Sequence, residues 1–182
     1  MLILSEAIQG KKVMSMHVGG AIASLSNPII DPANLKIVGF SVTARGMKYF
    51  SVLHTSDIRE WSPIGAIVNS EDAIMEVDEN MPKIRDLIEG DFNLTGIGVR
   101  TESGKRLGRV RNFIFETEGF FVVKFNIEKR SVLGLINTPI SIERDSIVNV
   151  TKKYLVISDN ANKVRAKVEK KKATNVEYGF TN

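Results

Sequence analysis

A thirteen-residue pattern occurs twice in this chain at a fixed spacing, and no other feature constrains the fold as strongly. Gly19 to Asp31 lines up with Gly104 to Glu116 at an offset of 85, without a gap. The match continues to Leu35/Phe120, Ile37/Val122, Phe40/Phe125 and Val42/Ile127. Units of stacked repeat proteins run to about 20–50 residues. A longer period therefore predicts a duplicated domain, and 182 residues leave room for two small ones.

Each copy is written in strand language. In the second, Gly98–Thr101, Arg106–Phe115 and Phe120–Ile127 are rich in β-branched and aromatic residues, with turns at Glu102–Gly104 and Glu116–Gly119. The first repeats the plan over Val13–His17, Ala21–Ile30 and Leu35–Thr43. Short strands at this spacing predict a small antiparallel barrel or sandwich. Val110, Ile114, Val123 and Phe125 are expected in the core, with Phe113, Phe115, Phe120 and Phe121. Downstream, Ser56–Ile58 falls on Asp145–Ile147 at an offset of 89, and Ala66–Val68 on Tyr154–Val156 at 88. The second copy is thus about four residues longer before its last strands, the extra material lying in the apolar stretch Arg130–Thr138. An apolar loop is unusual, because loops mostly run over the surface. It either folds back over an open barrel end or is offered to a partner, which makes Val132, Leu133, Leu135 and Ile136 candidate protein contacts.

Residues 1–79 are expected to form the first domain, 80–90 a helical linker, 91–160 the second domain and 161–182 a basic tail. In the linker, Asn80 is placed to cap and Pro82 to occupy a first turn. Ile84, Leu87 and Ile88 share a stripe, and Gly90 suits the stop. The stripe is expected to cover a barrel mouth and to hold the two domains together.

With 43% hydrophobic and 25% charged residues, the composition is that of ordinary globular protein. There is no cysteine, so disulfides, thiolate metal sites and a cysteine nucleophile are excluded. Met1–Leu4 is too short for a signal peptide, and no run approaches the length of a membrane-spanning helix, so a cytoplasmic protein is expected. The net charge of +4 divides unevenly, into −3 over residues 1–80 and +7 over residues 81–182. A basic second half suits phosphates, an anionic membrane surface or an acidic protein. Arg109 and Arg111 alternate along one expected strand and so should share a face. Lys105 and Arg106 flank them, Lys152 and Lys153 occupy the last hairpin, and Lys170, Lys171 and Lys172 lie in the tail. These nine are the candidate phosphate or RNA contacts.

Reactive groups are sparse. His17 and His54 have no partner at metal-ligand or triad spacing. His54 with Ser51 and Asp57 lacks a nucleophile elbow. Glu71, Asp72, Glu76, Asp78 and Glu79 lack the alternation of a calcium loop and read as a solvated connector. No catalytic residue, metal or cofactor is expected.

The pattern Gly-x-x-Leu-Gly-x-Val-x-Asn-x-Ile-Phe-Glu at Gly104–Glu116, with Ile140–Ile147 and Tyr154–Asp159, resembles the PRC-barrel domain. That family is named for the cytoplasmic barrel of the photosynthetic reaction-centre H subunit. It includes the C-terminal domain of the small-subunit ribosome-maturation factor. The second copy fits over Thr95–Asp159. The first fits more loosely over Gly10 to about Asp72, with Ala23 in place of the second glycine and Pro28 inside the strand. The resemblance implies a tandem of six-stranded barrels, mainly β, without chemistry of its own. The expected function is a protein-interaction or regulatory adaptor with a protein partner, with self-association into a homodimer also open. The alternative is an RNA- or ribosome-associated factor, and a third reading is peripheral membrane attachment through the tail.

Overall fold

Runs of β-branched and aromatic residues, broken by glycine and polar turns, become strands along most of the chain. The computed structural model describes residues 1–44, 46, 49–77, 81–129 and 140–159. The first sheet holds β2 (Lys12–Ser15), β3 (Gly20–Asp31), β4 (Lys36–Thr43), β5 (Ser51–His54), β6 (Ile58–Ser62), β7 (Gly65–Val68) and β8 (Ile74–Glu76). The second holds β9 (Gly98–Thr101), β10 (Arg106–Glu116), β11 (Val122–Glu128), β12 (Ile140–Glu143), β13 (Ile147–Val150) and β14 (Tyr154–Ile157), joined by β1 (Leu2–Leu4). A single α-helix among the described residues, α1 (Pro82–Glu89), lies between them.

Both sheets are wired alike. The shared path is β6-β7-β2-β3-β4-β5 in the first, which β8 extends by pairing with β5, and β13-β14-β9-β10-β11-β12 in the second, with β1 added on β10. β5 and β6 occupy opposite ends of this path, yet only the 3₁₀ turn Thr55–Asp57 separates them in sequence. Arg144–Ser146 does the same for β12 and β13. Ends tied so closely favour a rolled sheet over a flat layer, and one of the two sheets is a half-barrel. Two expectations are corrected here. Each sheet has seven strands, and each contains a parallel pair, β2 with β7 and β9 with β14. The registers place Ala66–Val68 on Leu155–Ile157, an offset of 89 rather than 88.

Bulges recur at matching places and set which residues face inward. One falls between Val110 and Asn112, another between Ile114 and Phe115, with counterparts between Leu25 and Pro28 and between Ile29 and Ile30. An extra residue shifts the alternation of a strand by one. Phe113, Phe115 and Val122 are therefore buried, whereas Ile114 and Val123, expected inside, are only half-buried. Phe121 is also half-buried, with Lys36 and Arg144 over its ring.

The halves meet at equivalent residues. Lys36 and Phe121 form a bridge between the sheets. The Ile37 N–H donates to the Phe120 carbonyl at 2.8 Å, and the Val122 N–H donates to the Leu35 carbonyl at 3.0 Å. Leu35 and Phe120 both take left-handed φ, 55° and 60°, to turn the chain into this contact. Each donor and acceptor has its own counterpart across the seam, the signature of an isologous interface inside one chain. Phe40 and Trp61 of the first half pack on Phe115 and Phe120 of the second, with ring centroids 5.8–6.2 Å apart. Such a buried ring contributes about 1.5–3 kcal/mol, and each aromatic pair about 0.5–1.5 more. One apolar core runs through both sheets.

The segments leading into each half cross to the other. Leu2–Leu4 pairs with Ile114–Glu116 of β10, although the sequence assigned residues 1–79 to the first unit. The Ser5 hydroxyl then accepts from the Phe113 N–H at 3.1 Å, and Glu6 Oε1 accepts from Asn112 Nδ2 at 2.9 Å. Conversely, Ile84 of α1 packs with Ile29, Val38 and Val52. The helix thus lies on the outer face of β3–β4–β5 and not over a barrel mouth. Pro82 opens it as expected, but the cap position falls on Met81, which contributes no side-chain bond. Asn80 lies outside the described residues. Burial on both faces explains why Ile37 to Val42 reads as an apolar run broken only by the buried Ser41.

Candidate functional site

The two arginines expected to share a face do not. Arg111 sits at the β10 bulge, which re-aims it. Its Nε lies 3.9 Å from Glu6 Oε1, and it lines a cleft of about 510 Å³ between the halves, together with Asn27, Ile29, Leu87, Asp91 and Phe113. Arg109 stays in register opposite Gly98 on β9 and Glu128 on β11. Its Nη1 donates to the Gly96 carbonyl at 2.7 Å, which holds the guanidinium at the mouth of a second groove.

This groove measures about 470 Å³ and is lined by Asn93, Thr95, Gly96, Ile97, Gly98, Arg109, Lys152, Lys153 and Tyr154. It exists because β14 runs parallel to β9, which sets the β13–β14 turn beside the start of β9. Gly98 permits the close approach, since a Cβ there would stand 3.0 Å from the Tyr154 ring. The Arg100 guanidinium lies over that ring at 4.5 Å. Three cations line the groove and no carboxylate does; the nearest in the ladder is Glu128, opposite Arg109. Sequence reasoning missed Arg100 and Tyr154. The signal for them was a strand pairing that joins residues more than fifty positions apart, which no local pattern encodes.

The remaining candidates fall elsewhere. Lys105 and Arg106 are exposed at the far end of β9–β10, beside Glu102, and do not line the groove. Lys170, Lys171 and Lys172 lie outside the described residues, as do Val132, Leu133, Leu135 and Ile136.

Several titratable and polar side chains serve the backbone. Burial alone would raise the Glu116 carboxyl, but N–H groups of Phe121, Gly119 and Glu118 donate to it, and the net effect is a lowered pKa. Its counterpart Asp31 accepts from the Ala33 N–H at 2.9 Å in the matching turn. Asn112 Oδ1 accepts from Asn126 Nδ2 at 2.7 Å across the bulge, where Asn27 and Ser41 bond in the first half. His54 Nδ1 accepts from the Ser56 N–H and caps the 3₁₀ turn, while the Ser51 hydroxyl donates to the Tyr49 carbonyl. Exposed His17 lies 3.2 Å from Glu71, whose carboxyl is lowered by its own backbone bond and then by His17. Among the described residues, no three histidine or carboxylate side chains are grouped to hold a metal ion. No helix among them is long and apolar enough to cross a membrane.

A family model for the PRC-barrel domain matches residues 89–165, which span α1's last residue and β9 to β14. The second half therefore carries a PRC-barrel domain, the class its turn-and-strand pattern resembles. No curated protein matches the chain.

Proposed function

We propose that this protein is a non-catalytic docking adaptor built on two PRC-barrel-like halves, the first a diverged copy of the second. The observation that carries this reading is the use of the polar side chains. Two of these uses recur at matching structural posts: Asp31 with Glu116, and the Ser41 hydroxyl on the Asn27 backbone with the Asn112–Asn126 side-chain contact. Polar groups spent on turns and bulges leave surfaces, rather than a reactive set, as the working parts. Shared strand order and bulge positions support the tandem reading. The sequence-nominated contacts are Val132, Leu133, Leu135 and Ile136. Affinity capture from the native cell, with and without nuclease, tests the adaptor role. A stoichiometric protein partner that survives nuclease and is lost in the Leu133→Asp/Leu135→Asp variant is expected. Unchanged partners in that variant overturn the surface.

A second reading, an RNA- or ribosome-associated factor, is favoured by the cationic groove of Arg109, Lys152 and Lys153. Co-sedimentation with ribosomes that weakens steeply with salt is its expected result. Association indifferent to salt argues for a protein contact instead.

A further inference from the structure

The matched halves provide an internal control for the groove. By strand register, Arg109 corresponds to Ser24, Arg106 to Ala21 and Arg100 to Met14. Tyr154 corresponds to Gly65, so that Lys152 and Lys153 fall on Pro63 and Ile64. The same scaffold folds in the first half with none of these charges, so the barrel does not require them. Lys11 and Lys12, at the positions of Ile97 and Gly98, are the cations among the first-half counterparts of the lining. The second half moreover sets Arg100 directly across from Arg106. Like charges opposite one another in a ladder are destabilising. Stacking on Tyr154 offsets part of that cost for Arg100 but does not explain why both are charged.

We infer that this groove is a binding site for the phosphodiester backbone of single-stranded nucleic acid, held by Arg109, Lys152 and Lys153, with Arg100 and Arg106 continuing the track along β9–β10. The inference rests on the RNA-associated reading. Magnitudes decide between a polyanion and a lone phosphate. One exposed ion pair is worth about 0–1 kcal/mol, too little for any single side chain here to retain inorganic phosphate. A strand offers successive charges to a row of cations and releases counterions at each contact. From Arg109 to Arg106 is three residues, roughly 10 Å of strand, room for more than one phosphate. Recognition is of backbone and not of bases. Tyr154, the groove's aromatic ring, is already covered by Arg100 and abuts Gly98, so it offers no stacking platform of the usual kind.

The test is fluorescence anisotropy of a labelled single-stranded oligouridine with the full chain across a salt series. Wild type should bind with strong salt dependence. Arg109→Ser/Lys152→Ser/Lys153→Ser should weaken binding roughly tenfold or more, and the slope of log K against log salt should shrink by about 2, near 0.7 per lost contact. Lys152→Glu/Lys153→Glu changes two exposed turn residues only and should act in the same direction, which separates the site from any folding defect of the triple variant. Lys11→Ser/Lys12→Ser, removing charge from the first half, should leave binding within about twofold. Equal losses in that control overturn the site as a general charge effect. Wild-type RNA binding undiminished in both groove variants overturns the site while leaving the RNA-associated reading intact. Absence of RNA binding overturns the site too; ribosome co-sedimentation then reports whether the wider reading survives through a protein contact. Phosphatidylserine vesicle binding without RNA binding overturns it in favour of a membrane surface.

Discussion

The first and second halves share strand order, bulge positions and the turn-capping carboxylates, yet they differ in charge, in glycine usage and in what covers their long strand. Against β3 lies a helix; against the matching part of β10 lies the three-residue strand β1. The same topological post is filled by two kinds of secondary structure because the requirement is burial of an apolar strand, which either can supply. What the halves share is thus what the rolled sheet demands, and what they do not share is open to function.

The seam between the halves gives the strongest way to break this picture. Phe40→Ala and Phe115→Ala should each cost about 3–5 kcal/mol, since both rings are fully buried and touch across the seam. Urea unfolding should remain a single transition, shifted as a whole. Two separated transitions, with only one moved, would show the halves to be independent.

Glycine usage gives the next largest contrast. Gly108 has φ of 146°, and a Cβ there would lie 2.2 Å from the Glu128 carbonyl oxygen. Its counterpart Ala23 has no such conformation. Gly108→Ala should therefore cost about 3 kcal/mol or more, whereas Ala23→Gly should cost only about 1. Similar losses at both positions, read from denaturant midpoints, would refute the assigned difference in backbone.

The crossing strand is tested by Ile3→Ala, a buried residue on β1, at an expected cost of about 2 kcal/mol. Hydrogen exchange should speed up in β10 of the second half more than in β2 and β3. A response confined to the first half would contradict the crossing.

Acid pH probes the shared turn. The Glu116 carboxyl is lowered from its ordinary 4.5 in the folded protein. Its stabilisation is present above the unfolded value and is lost as pH falls through the lowered folded one. Glu116→Gln should flatten the loss of stability on acidification, measured by denaturant unfolding at a series of pH values. The smallest effect is expected at the exposed His17–Glu71 pair, where Glu71→Gln should leave the unfolding midpoint unchanged.

Much of this was legible in the residues. The strands of the second half end within two residues of their expected limits, because β-branched and aromatic runs between Gly turns are local signals. The groove was legible only in parts. Arg109, Lys152 and Lys153 stood out as charges, but their meeting depends on the parallel pairing of β9 with β14. Arg111 was misplaced because the alternation rule holds only for an unbulged strand, and the extra residue that breaks it is defined by the partner strand. Ile114, Val123 and Phe121 shifted outward for the same reason.

By itself the sequence determined the recurring pattern, the strand positions and the asymmetry of charge, all of which are carried by neighbours in the chain or by comparison of the chain with itself. Tertiary structure decided which half β1 joins, which face α1 covers and which cations converge. Those depend on contacts between residues far apart in sequence, and burial is indifferent to the order in which the chain supplies them.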